Sequence, residues 1–221
     1  MDNNKCIYLI HGFASAPKHP SEKAAVLEQV FGLSVKQLSY DSAASYQDNF
    51  AALKGQVDTE PLFFVGTSLG AFYASRLSEL FYEQHAAMPI MLNPCHNPVA
   101  SLGAHKGMNA NFVTGKSFEF TERAIASYRD VPFINTSLIM PRWILLNMDD
   151  EQIDAHETQL LYKNTLEVIP FEYGGHRFEN IGSKEVITVL ERINSSYFIH
   201  CVANDWIQSG AKDIPQTASK Q

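Results

Sequence analysis

Short apolar runs of strand length recur along this chain of 221 residues, and segments with helical periodicity separate most of them. The six runs are Cys6 to Ile10, Leu33 to Leu38, Leu62 to Val65, Pro89 to Leu92, Trp143 to Leu146 and Leu166 to Tyr173. Several are apolar at consecutive positions, which is typical of strands that are buried on both faces. The pattern predicts an α/β fold with a mainly parallel sheet of about six strands and helices on both faces.

The connections of such a sheet constrain where functional residues lie. Right-handed crossovers place the loops that follow the strands along one edge, so catalytic side chains are expected there. Pro170 lacks the N–H that a central strand needs, which predicts that the last strand lies at or near the edge of the sheet. Residues 94–140 lack clean periodicity and are predicted to form a lid-like insertion in a domain of residues 1–195. Residues 196–221 are predicted to form a C-terminal helical extension and tail.

Composition and cysteine usage disfavour several classes of partner. The chain has 17 Lys and Arg against 24 Asp and Glu, a net charge of −7, so no general basic field attracts nucleic acid or anionic membranes. Cys6, Cys95 and Cys201 lack the spacing of a zinc site and the density of a disulfide framework. The first apolar stretch is too short for a signal peptide or a membrane span. We therefore expect a soluble cytoplasmic protein that binds neither nucleic acid nor membranes.

The most specific local motif is Gly66-Thr67-Ser68-Leu69-Gly70, between an apolar strand and a helical segment. In a strand–turn–helix arrangement of this kind the middle residue is strained, and the flanking glycines let neighbouring backbone pass. The Ser68 hydroxyl is then presented to solvent as a candidate nucleophile. The structural alternative is a glycine-rich turn without a catalytic role, which the strand and helix context disfavours.

A serine nucleophile requires a base, and His176 is the best candidate among eight histidines. It follows the last predicted strand in Gly174-Gly175-His176 and precedes the final helix, where the chain order Ser, acid, His places the base. The structural alternative is a histidine in a surface loop. His11 precedes the nucleophile and is expected to brace its own loop by hydrogen bonding.

The acid that orients the base is expected after the strand that begins at Trp143. Four carboxylates are available there: Asp149, Asp150, Glu151 and Asp154. Asp150 is preferred because Ile153 follows three positions later and can anchor the loop, and Asp149 is the second candidate. Asp154 is better placed as the cap of a helix that begins near Ala155. A solvated acidic turn accounts for Glu151.

Attack on a carbonyl also requires two backbone donors for the developing oxyanion. Leu69 follows the nucleophile at the N-terminus of a helix and is expected to supply one. The other is expected from the loop after the first strand, where Gly12 permits a turn that aims the Phe13 amide at the site.

Other side chains have less specific interpretations. Cys95, His96 and His105 match no common metal-site spacing, so no metal site is predicted from them, and Cys95 is expected near the pocket without taking part. Four aromatic residues of the insertion would either line an acyl pocket or pack the lid down: Phe112, Phe118, Phe120 and Tyr128. Six apolar residues of the extension would dock on the body or on a second copy in a homo-oligomer: Tyr197, Phe198, Ile199, Val202, Trp206 and Ile207.

Together, these motifs resemble the small bacterial YqiA-type esterases of the α/β-hydrolase superfamily over about residues 5 to 193. The segments that carry the resemblance are residues 8–13 with Ser15 and Pro17, 66–70, 93–94, 114–115, 150–151 and 174–178. The resemblance implies a compact α/β-hydrolase with a triad of Ser68, Asp150 and His176, activity towards carboxylic esters, and no cofactor. The chain departs from the usual family pattern at Ala71 and Asp149, where glycine is usual.

The sequence therefore predicts a serine hydrolase that cleaves small carboxylic esters or thioesters through an acyl-enzyme. A non-catalytic binding module of the same fold is the first alternative. A partner-docking protein that acts through the apolar C-terminal helix is the second. Among hydrolases, the sequence does not separate ester cleavage from peptide or C–C bond cleavage.

Overall fold

A six-stranded parallel sheet forms the centre of the computed structural model, which describes residues 5–210 and the side chains of residues 5–200. The strands along the chain are β1 (Lys5–Ile10), β2 (Ser34–Leu38), β3 (Glu60–Thr67), β4 (Met88–Leu92), β5 (Gly107–Ala110), β6 (Ser117–Phe120), β7 (Trp143–Asn147) and β8 (Glu167–Phe171). The sheet has the order β2-β1-β3-β4-β7-β8, and β5 and β6 form a separate antiparallel hairpin. All six apolar runs form strands of the sheet, which confirms the predicted fold class.

The helices of the described region are α1 (Glu22–Phe31), α2 (Tyr46–Gly55), α3 (Leu69–His85), α4 (Pro98–Leu102), α5 (Glu122–Ala126), α6 (Ala155–Tyr162) and α7 (Lys184–Gly210). Short 3₁₀ turns lie at Gly103–His105 and Glu179–Gly182. Polar side chains cap several N-termini and satisfy backbone donors that a helix leaves unpaired. At α6, Asp154 accepts a hydrogen bond from the Glu157 N–H at 2.9 Å, which confirms the predicted cap.

Both faces of the sheet are buried. In β1, Tyr8 points into a core that also contains Phe72 of α3, and Ile7 points into a second core beneath α1 and α7. Leu27 of α1 and Leu190 of α7 are fully buried in that second core. This two-sided burial is the physical reason why the strands are apolar at consecutive positions.

The edges of the sheet agree with the position of Pro170. Among the described strands, β8 pairs with β7 alone, with Leu146 opposite Pro170, and an edge strand of this kind tolerates a residue without an N–H. The prediction of an edge strand is confirmed. Strand β2 forms the opposite edge.

The insertion between β4 and β7 contains α4, the β5–β6 hairpin and α5. The hairpin lies over the loop that follows β1, with the Phe112 N–H donating to the Ala14 carbonyl at 2.8 Å. A small antiparallel insertion is therefore present where the sequence loses its periodicity.

At the C-terminus, α7 continues through residues 194–196 without a break. Tyr197 is buried and its ring centroid lies 5.1 Å from that of Phe63, whereas Phe198 and Ile199 are exposed. The side chains of Val202, Trp206 and Ile207 lie outside the described residues, and the domain division at 195 and the homo-oligomer stay predictions. Within residues 5–210, no helix has the length and hydropathy of a membrane span.

Candidate active site

Ser68 occupies the sharp turn between β3 and α3. Its backbone has φ 56° and ψ −121°, a strained conformation for a residue with a side chain. The two glycines of the motif are required by close backbone contacts. A Cβ on Gly66 would lie 2.1 Å from the Gly70 carbonyl oxygen, and a Cβ on Gly70 would lie 2.3 Å from the Ile10 oxygen. The predicted strained turn is present.

His176 and Asp150 meet at the carboxyl edge of the sheet. The His176 Nδ1 atom lies 2.9 Å from each carboxylate oxygen of Asp150, and the two side chains are only 10% and 1% exposed. Asp150 also accepts the backbone N–H groups of Gln152 and Ile153 at 2.8 Å each. Because an ionised carboxylate only accepts, Nδ1 carries the ring proton and Nε2 is left as a base.

The acids on either side of Asp150 hold the backbone of the histidine loop. Asp149 accepts the N–H groups of Gly174 and Gly175 at 3.2 and 2.9 Å. Glu151 accepts the His176 N–H at 3.0 Å, and this bond lowers the pKa of the Glu151 carboxyl. Glu151 is exposed, as expected for a solvated acidic turn, and it also holds the backbone of His176, a role that the sequence did not indicate. Asp149, the second candidate for the acid, contacts the backbone of the loop, whereas Asp150 contacts the imidazole.

Three asparagines, to which the sequence patterns assigned no role, support the same loop. Asn93 donates to the carbonyls of Gly175 and His176 at 2.8 and 3.1 Å, and Asn147 donates to the Gly175 carbonyl at 3.0 Å. Asn180 donates in turn to Asn147 Oδ1 at 2.9 Å. Asn93 follows β4 and Asn147 ends β7. A polar residue at the carboxyl end of an apolar strand was therefore the sequence signal that could have identified these two asparagines.

Two backbone donors flank the Ser68 turn. Leu69 is the first residue of α3, so its N–H is one of those that a helix leaves unpaired. Within residues 5–200, neither the Leu69 N–H nor the Phe13 N–H donates to another protein group. Gly12 brings its loop close to the serine, since a Cβ there would lie 3.4 Å from Ser68 Cβ. Neither N–H group is therefore committed to a protein acceptor in the described region.

His11 braces the loop that carries Phe13. The Tyr40 N–H donates to His11 Nε2 at 3.4 Å, so Nδ1 carries the ring proton and donates to the Gly12 carbonyl at 2.8 Å. The ring stacks on Tyr40 with centroids 4.4 Å apart. Burial lowers the pKa of His11, which keeps the imidazole neutral at pH 7. The predicted bracing role is confirmed.

The β5–β6 hairpin holds the same loop from the other side. Asn111 Nδ2 donates to the Ser15 carbonyl at 2.7 Å, next to the Phe112–Ala14 backbone bond. Asn111 Oδ1 accepts the N–H groups of Val113 and Thr114 at 3.0 and 2.9 Å and so shapes the hairpin turn. The hairpin is thereby connected to the loop of the Phe13 donor.

The four aromatic residues of the insertion have different roles. Phe118 and Phe120 pack against Phe13, with ring centroids 5.7 and 4.8 Å apart. Tyr128 is buried in the core, whereas Phe112 is 71% exposed and lines the cavity at the site. Both alternatives therefore apply. Phe112 lines the pocket, whereas packing is the role of Phe118, Phe120 and Tyr128.

Ser68 and His176 line one cavity of about 1070 Å³, together with Gly12 and Phe13. No hydrogen bond joins Ser68 Oγ to the imidazole in the described part of the chain. Contacts of this type often tighten only when substrate binds.

Cys95, His96 and His105 do not form a metal site. Cys95 lines the cavity, and burial raises the pKa of its thiol to about 12, so the thiol is protonated. His96 Nδ1 lies 3.3 Å from Thr158 Oγ1, and His105 packs on the ring of Phe13. Among the residues that the structure describes, no group of three or more acidic, histidine or cysteine side chains is placed to hold a metal ion.

Residues 5–191 match the model of the uncharacterised protein family UPF0227. The chain belongs to the UPF0227 family. The matched region runs from β1 into α7 and contains all the candidate site residues. The resemblance to YqiA-type proteins of the α/β-hydrolase superfamily is thus confirmed for family and fold.

Solved structures of hydrolases share the fold of this UPF0227 member at low sequence identity. Est1E from Butyrivibrio proteoclasticus has a TM-score of 0.66 at 11% identity, with 89% of this chain and 90% of that chain covered. Mouse alpha/beta hydrolase domain-containing protein 10 has a TM-score of 0.61 at 16% identity, with 92% and 89% covered. The esterase domain of a Rhodothermus marinus protein has a TM-score of 0.57 at 14% identity, with 86% and 85% covered. These likenesses establish the α/β-hydrolase fold.

Proposed function

We propose that this UPF0227 member is a serine hydrolase that cleaves small carboxylic esters or thioesters through an acyl-enzyme. The observation that carries the proposal is the convergence of three features on one cavity. They are a strained serine at a strand–helix turn, an imidazole held by a buried carboxylate, and the unpartnered backbone N–H of Phe13. The unpartnered N–H of Leu69 follows the serine directly in the chain. The fold shared with named esterases supports the choice of reaction.

In the first step, Ser68 Oγ attacks the carbonyl carbon while His176 Nε2 takes the hydroxyl proton. The carbonyl oxygen gains the electron pair, and the N–H groups of Leu69 and Phe13 donate to it. Asp150 holds the proton on Nδ1 and stabilises the imidazolium. The tetrahedral intermediate then collapses, and the alcohol or thiol leaves with the proton from His176.

In the second step, His176 takes a proton from water, and the hydroxide attacks the acyl carbon of the ester on Ser68. Collapse of this intermediate breaks the bond to Oγ, which recovers its proton from His176. The carboxylic acid is released and the free enzyme is restored.

A fluorophosphonate probe tests the proposal directly, because it reacts with a serine that an adjacent base activates. We expect intact-mass spectrometry to show one phosphonyl group per chain in the wild type and in Ser101→Ala, and none in Ser68→Ala. Ser101 is a matched control because it lines the same cavity. An unlabelled wild type beside a labelled reference hydrolase would favour the non-catalytic binding module.

The hairpin contact to the Phe13 loop gives a second prediction. Asn111→Asp keeps an oxygen for the Val113 and Thr114 N–H groups but removes the donor to the Ser15 carbonyl. A misplaced oxyanion donor acts on the transition state, so we expect kcat for a nitrophenyl ester to fall about 10-fold with little change in KM.

Asn109→Asp is the matched control for this variant. It introduces the same charge on the same hairpin, but Asn109 Nδ2 donates to the carbonyls of His105 and Gly107, and no hydrogen bond joins it to the Phe13 loop in the described region. Equal losses of kcat in both variants would mean that the added charge, rather than the lost contact, is responsible.

A further inference from the structure

Three cationic side chains, Lys18, Lys23 and Arg177, line the same cavity as Ser68 and His176. Over residues 5–200, none of the three lies within ion-pair distance of a carboxylate. Other cations do have such partners, as Lys5 has Glu60. The chain as a whole carries a net charge of −7, so unpaired cations in the cavity run against its overall charge.

Lys23 and Arg177 are in direct contact, and Lys18 lines the same cavity. Lys23 Nζ donates to the Arg177 carbonyl at 2.6 Å, which ties the first turn of α1 to the residue after His176. Burial lowers the pKa of Lys23 to about 8. Glu22 and Glu179 oppose this shift, and the charges of Lys18 and Arg177 add to it. Lys23 is therefore a half-buried ammonium group that hydrogen-bonds a carbonyl and has no ion-pair partner within residues 5–200.

Arg177 links this group of cations to the histidine loop and to the hairpin. It follows His176 directly, and its guanidinium carbon lies 5.4 Å from the ring centroid of Phe112 on the hairpin. A cation over an aromatic face keeps its hydrogen-bond donors free for a ligand in the plane of the guanidinium.

A half-buried cation without an ion-pair partner is stabilised when an anion binds next to it, and a local group of cations attracts an anion that a net negative protein would otherwise repel. We propose that the substrate of this hydrolase carries an anionic group, a carboxylate or a phosphate, and that Lys18, Lys23 and Arg177 bind it. This proposal rests on the proposed function and specifies its substrate class. Glu22 and Glu179 line the same cavity and limit the net attraction, so we expect a preference among substrates rather than tight binding of any anion.

The experiment compares anionic esters with neutral esters of similar size. For an anion in the alcohol part, the substrates are the butyrate esters of 4-hydroxybenzoate and of 4-hydroxyphenyl phosphate. The neutral reference is the butyrate ester of methyl 4-hydroxybenzoate. On the acyl side, the substrates are the 4-nitrophenyl monoester of glutaric acid and its neutral methyl ester. We expect at least one anionic ester to have a higher kcat/KM than its neutral reference, with a preference that falls as salt is added. The esters that show this preference indicate whether the cations bind a carboxylate or a phosphate. They also indicate whether the anion belongs to the acyl part or the alcohol part of the substrate.

Charge-neutral variants assign the preference to residues. Lys23→Gln and Arg177→Gln should each lower the ratio of anionic to neutral kcat/KM about 10-fold. Lys54→Gln removes a cation from the exposed side of α2, outside the cavity, and should leave the ratio unchanged.

The outcomes separate this proposal from the proposed function. If neutral esters are cleaved by Ser68 but no anionic ester is preferred, or if Lys54→Gln changes the ratio as much as Lys23→Gln does, anion binding by this group is refuted and the hydrolase function stands. If no ester of either kind is cleaved and the fluorophosphonate does not label Ser68, the proposed function fails, and this proposal fails with it.

Discussion

Ser68→Ala is expected to lower kcat for ester hydrolysis by about 10⁵-fold or more. The variant lacks the oxygen that forms the acyl-enzyme, so only the oxyanion donors and substrate binding remain to assist direct attack by water. The measurement is the initial rate on a short-chain nitrophenyl ester, with enzyme at high concentration to resolve a small residual rate.

The variant is expected to fold normally, which makes the loss of rate interpretable. Alanine occurs at positive φ elsewhere in this chain, at Ala14 and Ala86, both with φ 52°. Ser68 also makes no side-chain cap hydrogen bond to α3 that alanine would lose. A thermal melt beside that of Ser101→Ala checks the fold. If Ser68→Ala keeps the wild-type rate, Ser68 is not the nucleophile, and only the assignment of the fold remains.

The positions of the strands were predictable because burial on both faces requires apolar residues at consecutive positions of the strand. A run such as residues 6–10 is apolar at every position, and this follows from the packing of helices on each side. Pro170 and the glycines around Ser68 are equally local signals, since each reflects a backbone restriction of its own residue. The β5–β6 hairpin has no such apolar run, because its residues are largely exposed and its glycine and asparagine content is typical of loops.

The supports of the candidate site were not predictable in the same way. Glu151 and Asn93 both contact the loop that carries His176, but their partners lie 25 and 82 or more positions away. A single sequence shows which residue types lie at the ends of the strands, but it does not show which of these side chains contact one another. Four neighbouring carboxylates therefore supplied a candidate acid, and only the fold placed Asp150 against the ring.

Asp150→Asn gives the second large expected effect, a loss of about 10⁴-fold in kcat. Asp150 Oδ1 accepts the N–H groups of Gln152 and Ile153 at 2.8 Å each, and an asparagine in this position keeps its carbonyl oxygen towards them. Its NH₂ group then faces His176 Nδ1 as a donor. The ring must accept at Nδ1 and carry its proton on Nε2, so it cannot take the proton of Ser68.

Asp149→Asn is the matched variant, since it makes the same chemical change one residue earlier. Asp149 accepts only backbone N–H groups, those of Gly174 and Gly175, and an asparagine oxygen can still accept from one of them. We therefore expect a loss of about 10-fold or less, caused by a less firmly held histidine loop. Parallel measurement of kcat for the two variants separates the roles, because the tautomer of the imidazole depends on the group at Nδ1 alone. A larger loss in Asp149→Asn than in Asp150→Asn would assign the triad acid to Asp149 and would require the loop to rearrange when substrate binds.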